Sequence, residues 1–217
     1  MDRLIEALDA VIDGDLALCE GEGVAYQVDR SHRVQYGPDY FAKVAAYEGG
    51  EIARRVIDGR LALAARHARP GARLLDYGCG SGEFLRAALA AGFDARGFDV
   101  MAETRDWLAS RALWADNPAA FEIVTAWDVI EHLENPAELL ARIVPGAILL
   151  ASVPVFPDLR RIRASRHYRP GEHLYYFTPG GFSAWMRARG FVLLEESAHE
   201  VVAGRDSIGA FAFRRGA

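Results

Sequence analysis

Three features of the chain predict an α/β fold, with a parallel, doubly wound sheet following an N-terminal helical extension. From Ala72 onward, short apolar runs alternate with stretches of helical periodicity, the β-α-β rhythm that builds such a sheet. An apolar strand end at Leu74-Leu75 passes through Asp76 and Tyr77 into Gly78, Gly80 and Gly82, and helix-like residues begin at Glu83. The 217 residues are 51% apolar, enough for one large core with extra segments at its ends.

Residues 1–70 read as a helical extension with a break, and residues 71–217 as the main domain. Leu4, Ile5, Leu8, Val11 and Ile12 recur at helical spacing, and Gly14, Gly21 and Gly23 interrupt them. An aromatic, polar stretch with Tyr26, His32, Tyr36 and Tyr40 follows. It reads either as a lid over the site or as packing for the leading helices. A second helical stretch runs from about Tyr40 to His67, with a break expected at Gly49-Gly50 or Gly59, and Pro70-Gly71 ends it. The sheet then predicts strands at Arg73–Tyr77, Ala95–Phe98, Phe121–Ala126, Ala147–Val153, Val192–Leu194 and Ile208–Phe213, with a brief one at Ala112–Trp114. Helices are expected at Glu83–Ala91, Ala102–Ser110 and Pro136–Ile143. A last helix opens at Thr178-Pro179, a residue pair suited to a cap and a first turn, and stops at Gly190.

Composition excludes several classes. A formal charge of −5 and a pI near 5.7 give no global attraction to nucleic acid or anionic membrane. No run of about 20 apolar residues exists to span a bilayer. The first residues carry acids early and lack a signal-like run. Cys19 and Cys79 suggest neither a disulfide framework nor metal-ligand spacing, and no metal site is expected. A cytoplasmic location fits these features.

The glycine loop marks a nucleotide-type cofactor site at the mouth of a parallel sheet, where backbone N–H groups and a helix start face the ligand. A dinucleotide site needs Gly-x-Gly-x-x-Gly, but here the spacing is Gly78-x-Gly80-x-Gly82. Asp76 would repel a pyrophosphate and attract an ammonium group. Asp99 stands at the end of the second strand, where a carboxylate can accept both ribose hydroxyls. Together these features favour S-adenosylmethionine over NAD or a flavin.

These residues resemble the class I S-adenosylmethionine-dependent methyltransferases. Leu74 to Gly82 looks like their first motif and Gly97-Phe98-Asp99 like their second. The run Phe121 to Leu133 resembles the fourth-strand segment of the branch that modifies small molecules, including ubiquinone-pathway O-methyltransferases and sugar C-methyltransferases. Ser152-Val153-Pro154, His173 to Pro179 and Gly190-Phe191 fit the same branch. The resemblance covers roughly residues 72–196. It implies a Rossmann-like doubly wound sheet, mostly parallel with one antiparallel strand near the C-terminus. It also implies S-adenosyl-L-methionine as donor, S-adenosyl-L-homocysteine as product and a small-molecule acceptor methylated on O, C or N.

The chain departs from that pattern in two places. The stretch between Asp99 and the Phe121 strand is short, which leaves Asp116 or Trp114 as the candidate for recognising adenine. Glu122 stands where the family usually has Asp.

The cofactor-binding set expected from the resemblance is Asp76, Tyr77, Gly78, Cys79, Gly80, Gly82, Asp99, Val100, Trp127 and Asp128. Trp127 packs either on the cofactor or in the core. Cys79 is small enough for the loop, and the helix start would lower its thiol pKa somewhat. His132 and His173 are the candidate catalytic residues, since both follow strand ends that face the crevice. The bland alternatives are a backbone-bonded His132 and a packing or capping His173. Arg160, Arg161, Arg163, Arg166 and Arg169 face only Asp158 and Glu172 within residues 154–173. They form either a lid for an anionic acceptor or a solvated loop.

Other functions stay open at this point. A DNA methylase is disfavoured, because Trp127-Asp128-Val129-Ile130 replaces the proline-rich catalytic segment of amino-methylases and no cysteine follows a proline. An RNA or protein acceptor and a non-catalytic S-adenosylmethionine-binding module are the alternatives.

Overall fold

The computed structural model describes residues 10–46 and 49–217. Its main sheet has six strands: β4 (Arg73–Tyr77), β5 (Asp94–Phe98), β6 (Ile123–Trp127), β7 (Ile148–Pro154), β9 (Phe191–Ser197) and β10 (Ile208–Arg215). Their order is β5-β4-β6-β7-β10-β9. The first four run parallel, and β10 alone runs antiparallel to both of its neighbours. The expected sheet is therefore present, with its single reversed strand near the C-terminus. Ala112–Trp114, expected as a brief strand, contributes only the bridge Gly97–Trp114.

Side chains alternate across this sheet, as strand geometry requires. Leu74, Ile123, Trp127, Leu150 and Ala212 face one side. There they pack on α2 (Glu51–His67), α3 (Glu83–Ala90) and α4 (Ala102–Ala109) through Leu63, Phe84, Leu85 and Leu108. Leu75, Val124, Leu149, Phe211 and Phe213 face the other side. They meet α5 (Pro136–Arg142) and α6 (Pro179–Arg187) through Leu140, Phe182, Trp185 and Met186. Helices thus cover both faces, and the strand order reverses between β4 and β6. That reversal opens a crevice at the C-terminal strand ends.

The N-terminal extension is not purely helical. Val11 and Ile12, expected on a helix, lie in β1 (Val11–Asp13), which pairs with β2 (Leu16–Cys19). β3 (Val24–Gln27) joins β2 to β8 (Tyr175–Phe177), a strand after the arginine-rich loop. Four antiparallel strands result, in the order β1-β2-β3-β8. Leu4, Ile5 and Leu8 lie outside the described residues. The glycines expected to break a helix turn the chain between strands instead. Gly23 has φ +68°, and its carbonyl accepts from Thr178 N at 2.8 Å. The later helical stretch splits into α1 (Pro38–Ala45) and α2, whose N-cap is Gly50, as the Gly49-Gly50 reading expected. Gly59 stays inside α2, where a Cβ would stand 2.6 Å from the ring of His199. α7 (His199–Val202) packs there.

Candidate functional site

The loop after β4 is held open by its own backbone. Gly78, Gly80 and Gly82 have φ of +76°, +57° and +84°, left-handed values that side chains disfavour. The N–H groups of Gly78 and Cys79 donate to the Phe98 carbonyl at 2.7 and 3.0 Å. Gly80 N donates to Asp99 Oδ2 at 2.7 Å, and Thr104 Oγ1 donates to the Gly80 carbonyl at 2.6 Å. α3 then begins with no side-chain cap at Gly82, which leaves N–H groups of its first turn without an intrahelical partner.

The two carboxylates do different work here. Asp99 accepts from Gly80 N and from Met101 N, so it fixes the turn after β5 and the glycine loop together. Burial raises its pKa, and these N–H donors partly offset the rise. Asp76 accepts from Thr125 Oγ1 at 2.8 Å through Oδ1, while its buried Oδ2 has no partner among the described residues. Burial pushes this carboxyl up to about 7. Such an acceptor is costly unless a donor completes it. The ammonium end of an amino-acid moiety is a donor of the required charge, and the N–H groups of Gly78, Cys79, Gly80 and Gly82 are taken up in holding the shape of the loop beside it. These residues therefore fit an S-adenosylmethionine-type ligand.

Other expected members of the set fall around this loop. Tyr77 stacks on Phe98 at 4.5 Å, and Phe98 packs against Trp114 at 5.2 Å. Val100 is 69% exposed beside Asp99. The Asp116 carbonyl accepts from Arg142. Cys79 is buried, and burial raises its thiol pKa, opposite to the lowering expected from the helix start. An inert, space-filling thiol follows.

At the end of β6, Trp127 lies in the core face with Phe84, 5.4 Å away, and the Arg60 guanidinium sits 4.8 Å over its ring. Asp128, at φ +56°, accepts from Arg60 and Arg205 at 3.0 and 2.9 Å and from Ser152 Oγ at 3.0 Å. Both arginines also hold Glu200, which is fully buried, at 2.7 Å. Burial opposes ionisation of Asp128, but Arg205 and Arg60 overcome it and hold the carboxyl well below its usual range. This four-residue network ties α2, the end of β6 and α7 together. Sequence reading missed Arg60, Arg205 and Glu200, whose partners lie on distant elements.

Beyond Asp128 the histidines converge. The His132 and His173 rings lie 4.6 Å apart, edge to face. His132 Nδ1 is 3.1 Å from the Glu172 carbonyl and 3.2 Å from the Tyr36 hydroxyl. His173 Nδ1 is 3.0 Å from the His167 carbonyl. Burial lowers both pKa values, that of His173 to about 3, so both rings are neutral near pH 7. Glu131, fully buried, stands beside them. Tyr36 and Arg33 cover this corner, with Arg33 donating to the His132 carbonyl at 2.8 Å. Tyr40 donates to Glu172 at 3.2 Å.

The arginine run is largely committed within the chain. Arg160 pairs with Glu20, Arg163 with Asp13 and Asp15, and Arg169 with Glu172. Arg166 reaches the Asp206 carbonyl at 3.4 Å. Arg160 and Arg163 thus strap the loop to the small sheet.

Comparison with known proteins agrees with this fold. The family described as "Methyltransferase domain" matches residues 49–196. A ubiquinone biosynthesis O-methyltransferase of Xanthomonas campestris pv. campestris is 28% identical over 154 residues, 58% of this chain and 64% of that protein. The one from Burkholderia pseudomallei is 29% identical over 99 residues, 38% of this chain and 43% of its own length. The chain thus matches less than two thirds of these curated relatives. Among solved structures, the 1,6-didemethyltoxoflavin N1-methyltransferase of Burkholderia thailandensis, with bound 1,6-didemethyltoxoflavin and S-adenosylhomocysteine, has a TM-score of 0.56 at 17% identity. That match covers 95% of this chain and 98% of the other. The magnesium protoporphyrin IX methyltransferase of Synechocystis PCC 6803 also gives 0.56 at 17% identity, over 82% and 97% of the two chains. At these identities the likeness is one of fold.

Proposed function

The chain belongs to the methyltransferase domain family, and from that premise we propose that it transfers a methyl group from S-adenosylmethionine to a small-molecule acceptor. The observation that carries this reading is the glycine loop with the unpartnered Asp76 Oδ2 beside it. When bound, the donor supplies an electrophilic methyl on a sulfonium with its leaving group built in. The work left to the protein is alignment and exclusion of water.

Asp76 holds the amino-acid end of the donor through its free oxygen. Asp99 keeps the glycine loop in place and offers its remaining lone pairs to the ribose. Gly78, Cys79, Gly80 and Gly82 line the cradle, with Tyr77 and Val100 at its rim and Trp114 or Asp116 toward the adenine. Trp127 and Asp128 shape the floor from the core side. His132 and His173 stand at the acceptor side under Tyr36. Their neutral rings offer lone pairs there, but burial makes them weak proton acceptors, so positioning is their main contribution. Residues 28–40, with Tyr36 and Arg33, form the lid over this corner.

The committed arginines favour a strapping role for the 154–173 loop over capture of an anionic acceptor. A KM that does not respond to salt follows from that role. No helix among the described residues is long and apolar enough to cross a membrane. The free thiols Cys19 and Cys79 suit the cytoplasm, where we place the activity.

The test is calorimetric titration with S-adenosylhomocysteine, followed by incubation with labelled methyl donor and fractionated cell extract. Binding to the wild type and label in a small-molecule fraction are expected. His173→Ala is expected to bind S-adenosylhomocysteine as the wild type does and to lose turnover. Label confined to RNA or protein, or no binding, overturns the reading.

A further inference from the structure

Glu131, His132 and His173 form a cluster that donor binding does not use. Glu131 is fully buried, and neither of its carboxylate oxygens has a hydrogen-bond partner among the described residues. A buried carboxylate with both oxygens unanswered is rare and costly unless a cation or a proton completes it. The histidines beside it are held in one tautomer. His132 Nδ1 faces the Glu172 carbonyl and His173 Nδ1 the His167 carbonyl. A carbonyl only accepts, so in each neutral ring Nδ1 carries the proton and Nε2 keeps its lone pair. Anchoring of one ring nitrogen on a carbonyl is how proteins orient histidines for metal ligation.

The distances are consistent with a shared ion. One ligand atom from each of Glu131, His132 and His173 lies within 4.8 Å of the others. His132 Nε2 and Glu131 Oε1 are 3.9 Å apart. The neighbouring acids are taken up elsewhere: Asp128 by Arg60 and Arg205, and Glu172 by Arg169 and Tyr40. The ligand set is therefore two imidazoles and one carboxylate.

We propose that Glu131, His132 and His173 bind one divalent transition-metal cation, with zinc as the reference ion. Two nitrogen donors and one oxygen donor suit zinc and leave a coordination position open. The site lies close to the donor pocket along the chain, because Val129, two residues before Glu131, closes on Gly78: a Cβ there would meet its Cγ2 at 2.5 Å. This extends the proposed function and rests on it for one consequence only. The open position takes the hydroxyl oxygen of the acceptor and lowers its pKa. The proton leaves to water, the oxygen lone pair forms the new O–C bond, and the C–S bond breaks to give S-adenosylhomocysteine. The acceptor class is then a hydroxyl compound, and no histidine needs to act as base.

The experiment uses the tag-free full chain, stripped with chelator and dialysed, then titrated with zinc chloride by calorimetry. One equivalent is expected to bind. Glu131→Gln and His173→Ala are each expected to weaken binding by at least about 100-fold, more than loss of an outer partner costs. S-adenosylhomocysteine affinity stays unchanged in both. Cobalt chloride added to the wild type is expected to give visible absorption bands of a protein-ligated ion, a result that stands even where a variant fails to fold. Absence of zinc binding to the wild type overturns the proposal and leaves Glu131 as a carboxyl kept protonated by burial. Zinc binding unmoved by the substitutions, or a cobalt spectrum like that of the aqueous ion, also overturns it. Failure of S-adenosylhomocysteine to bind the wild type would remove the donor reading and leave the metal result standing.

Discussion

Residues 76–101 build most of the proposed donor pocket, joined by Thr104 and Thr125, whereas the proposed acceptor corner draws on Arg33 and Tyr36, Glu131 and His132, and His167 to His173. In the first region a loop hydrogen-bonds to the next strand and to the carboxylate that follows it. In the second, Tyr36, His132 and Glu172 meet across wide gaps in sequence. The backbone conformation of the donor pocket is fixed locally by glycine. The corner exists only once the small sheet, β6 and the loop before β8 have docked. Donor binding should therefore survive damage that empties the acceptor corner, and the reverse should hold less well.

The sharpest way to break that asymmetry is Gly78→Val. At φ +76° a β-branched residue is strained, and the added Cβ would stand 2.5 Å from Val129 Cγ2. Strain and overpacking together cost about 2–4 kcal/mol. A lower melting temperature and loss of S-adenosylhomocysteine binding by more than about 100-fold are expected, the fold-change that corresponds to about 3 kcal/mol. The push on Val129 should also disturb Glu131 two residues on. Near-normal affinity would mean that the loop is not the cradle.

Legibility follows the same division. Leu74 to Gly82 could be read because each residue type answers a local demand: apolar strand, acid at its end, positive φ, helix start. β10 was legible as the apolar run Ile208–Phe213, and its reversed direction followed from the resemblance. The strands β1 to β3 went unread for a physical reason. They are three or four residues long, Val11 and Ile12 are exposed, and β3 gains its partner from β8, far along the chain. Short strands are specified by such pairing more than by propensity. His132 and His173 were marked as candidates, but their mutual contact and the burial of Glu131 depend on how the loop before β8 folds back. Arg160 and Arg163 likewise found their partners, Glu20, Asp13 and Asp15, on and beside the unread small sheet.

A second effect separates the carboxylates inside the donor pocket. Asp76 titrates at about 7 in the folded protein because burial disfavours its charge. A raised carboxyl pKa means that the folded state holds a proton that the unfolded state releases near 4. Stability of the free protein from this group is therefore full below about 4 and falls as pH rises to about 7. Donor binding runs the other way, because the ammonium prefers the ionised acid. The S-adenosylhomocysteine Kd should rise about tenfold per pH unit below about 7 and level off above it. Asp76→Asn should bind more weakly with a flat profile over that range. A wild-type profile already flat from pH 5 to 8 would remove Asp76 from the ammonium.

The smallest expected effect tests whether the two regions are separable at all. Tyr36 reaches His132 Nδ1 at 3.2 Å, and burial pushes its phenol up to about 12, so it stays protonated at any working pH. Tyr36→Phe keeps the ring, including its edge contact with Tyr40 at 4.9 Å, and removes only the hydroxyl. The His132 N–H still has the Glu172 carbonyl, so no buried donor is orphaned and the cost to stability stays near 0.5–1.5 kcal/mol. If the hydroxyl sets the angle of the His132 ring, the acceptor KM or kcat shifts several-fold while the S-adenosylhomocysteine Kd stays fixed. A shift of both in parallel would mean that the lid couples donor and acceptor sites through Tyr36. That outcome would replace two pockets of different construction with one.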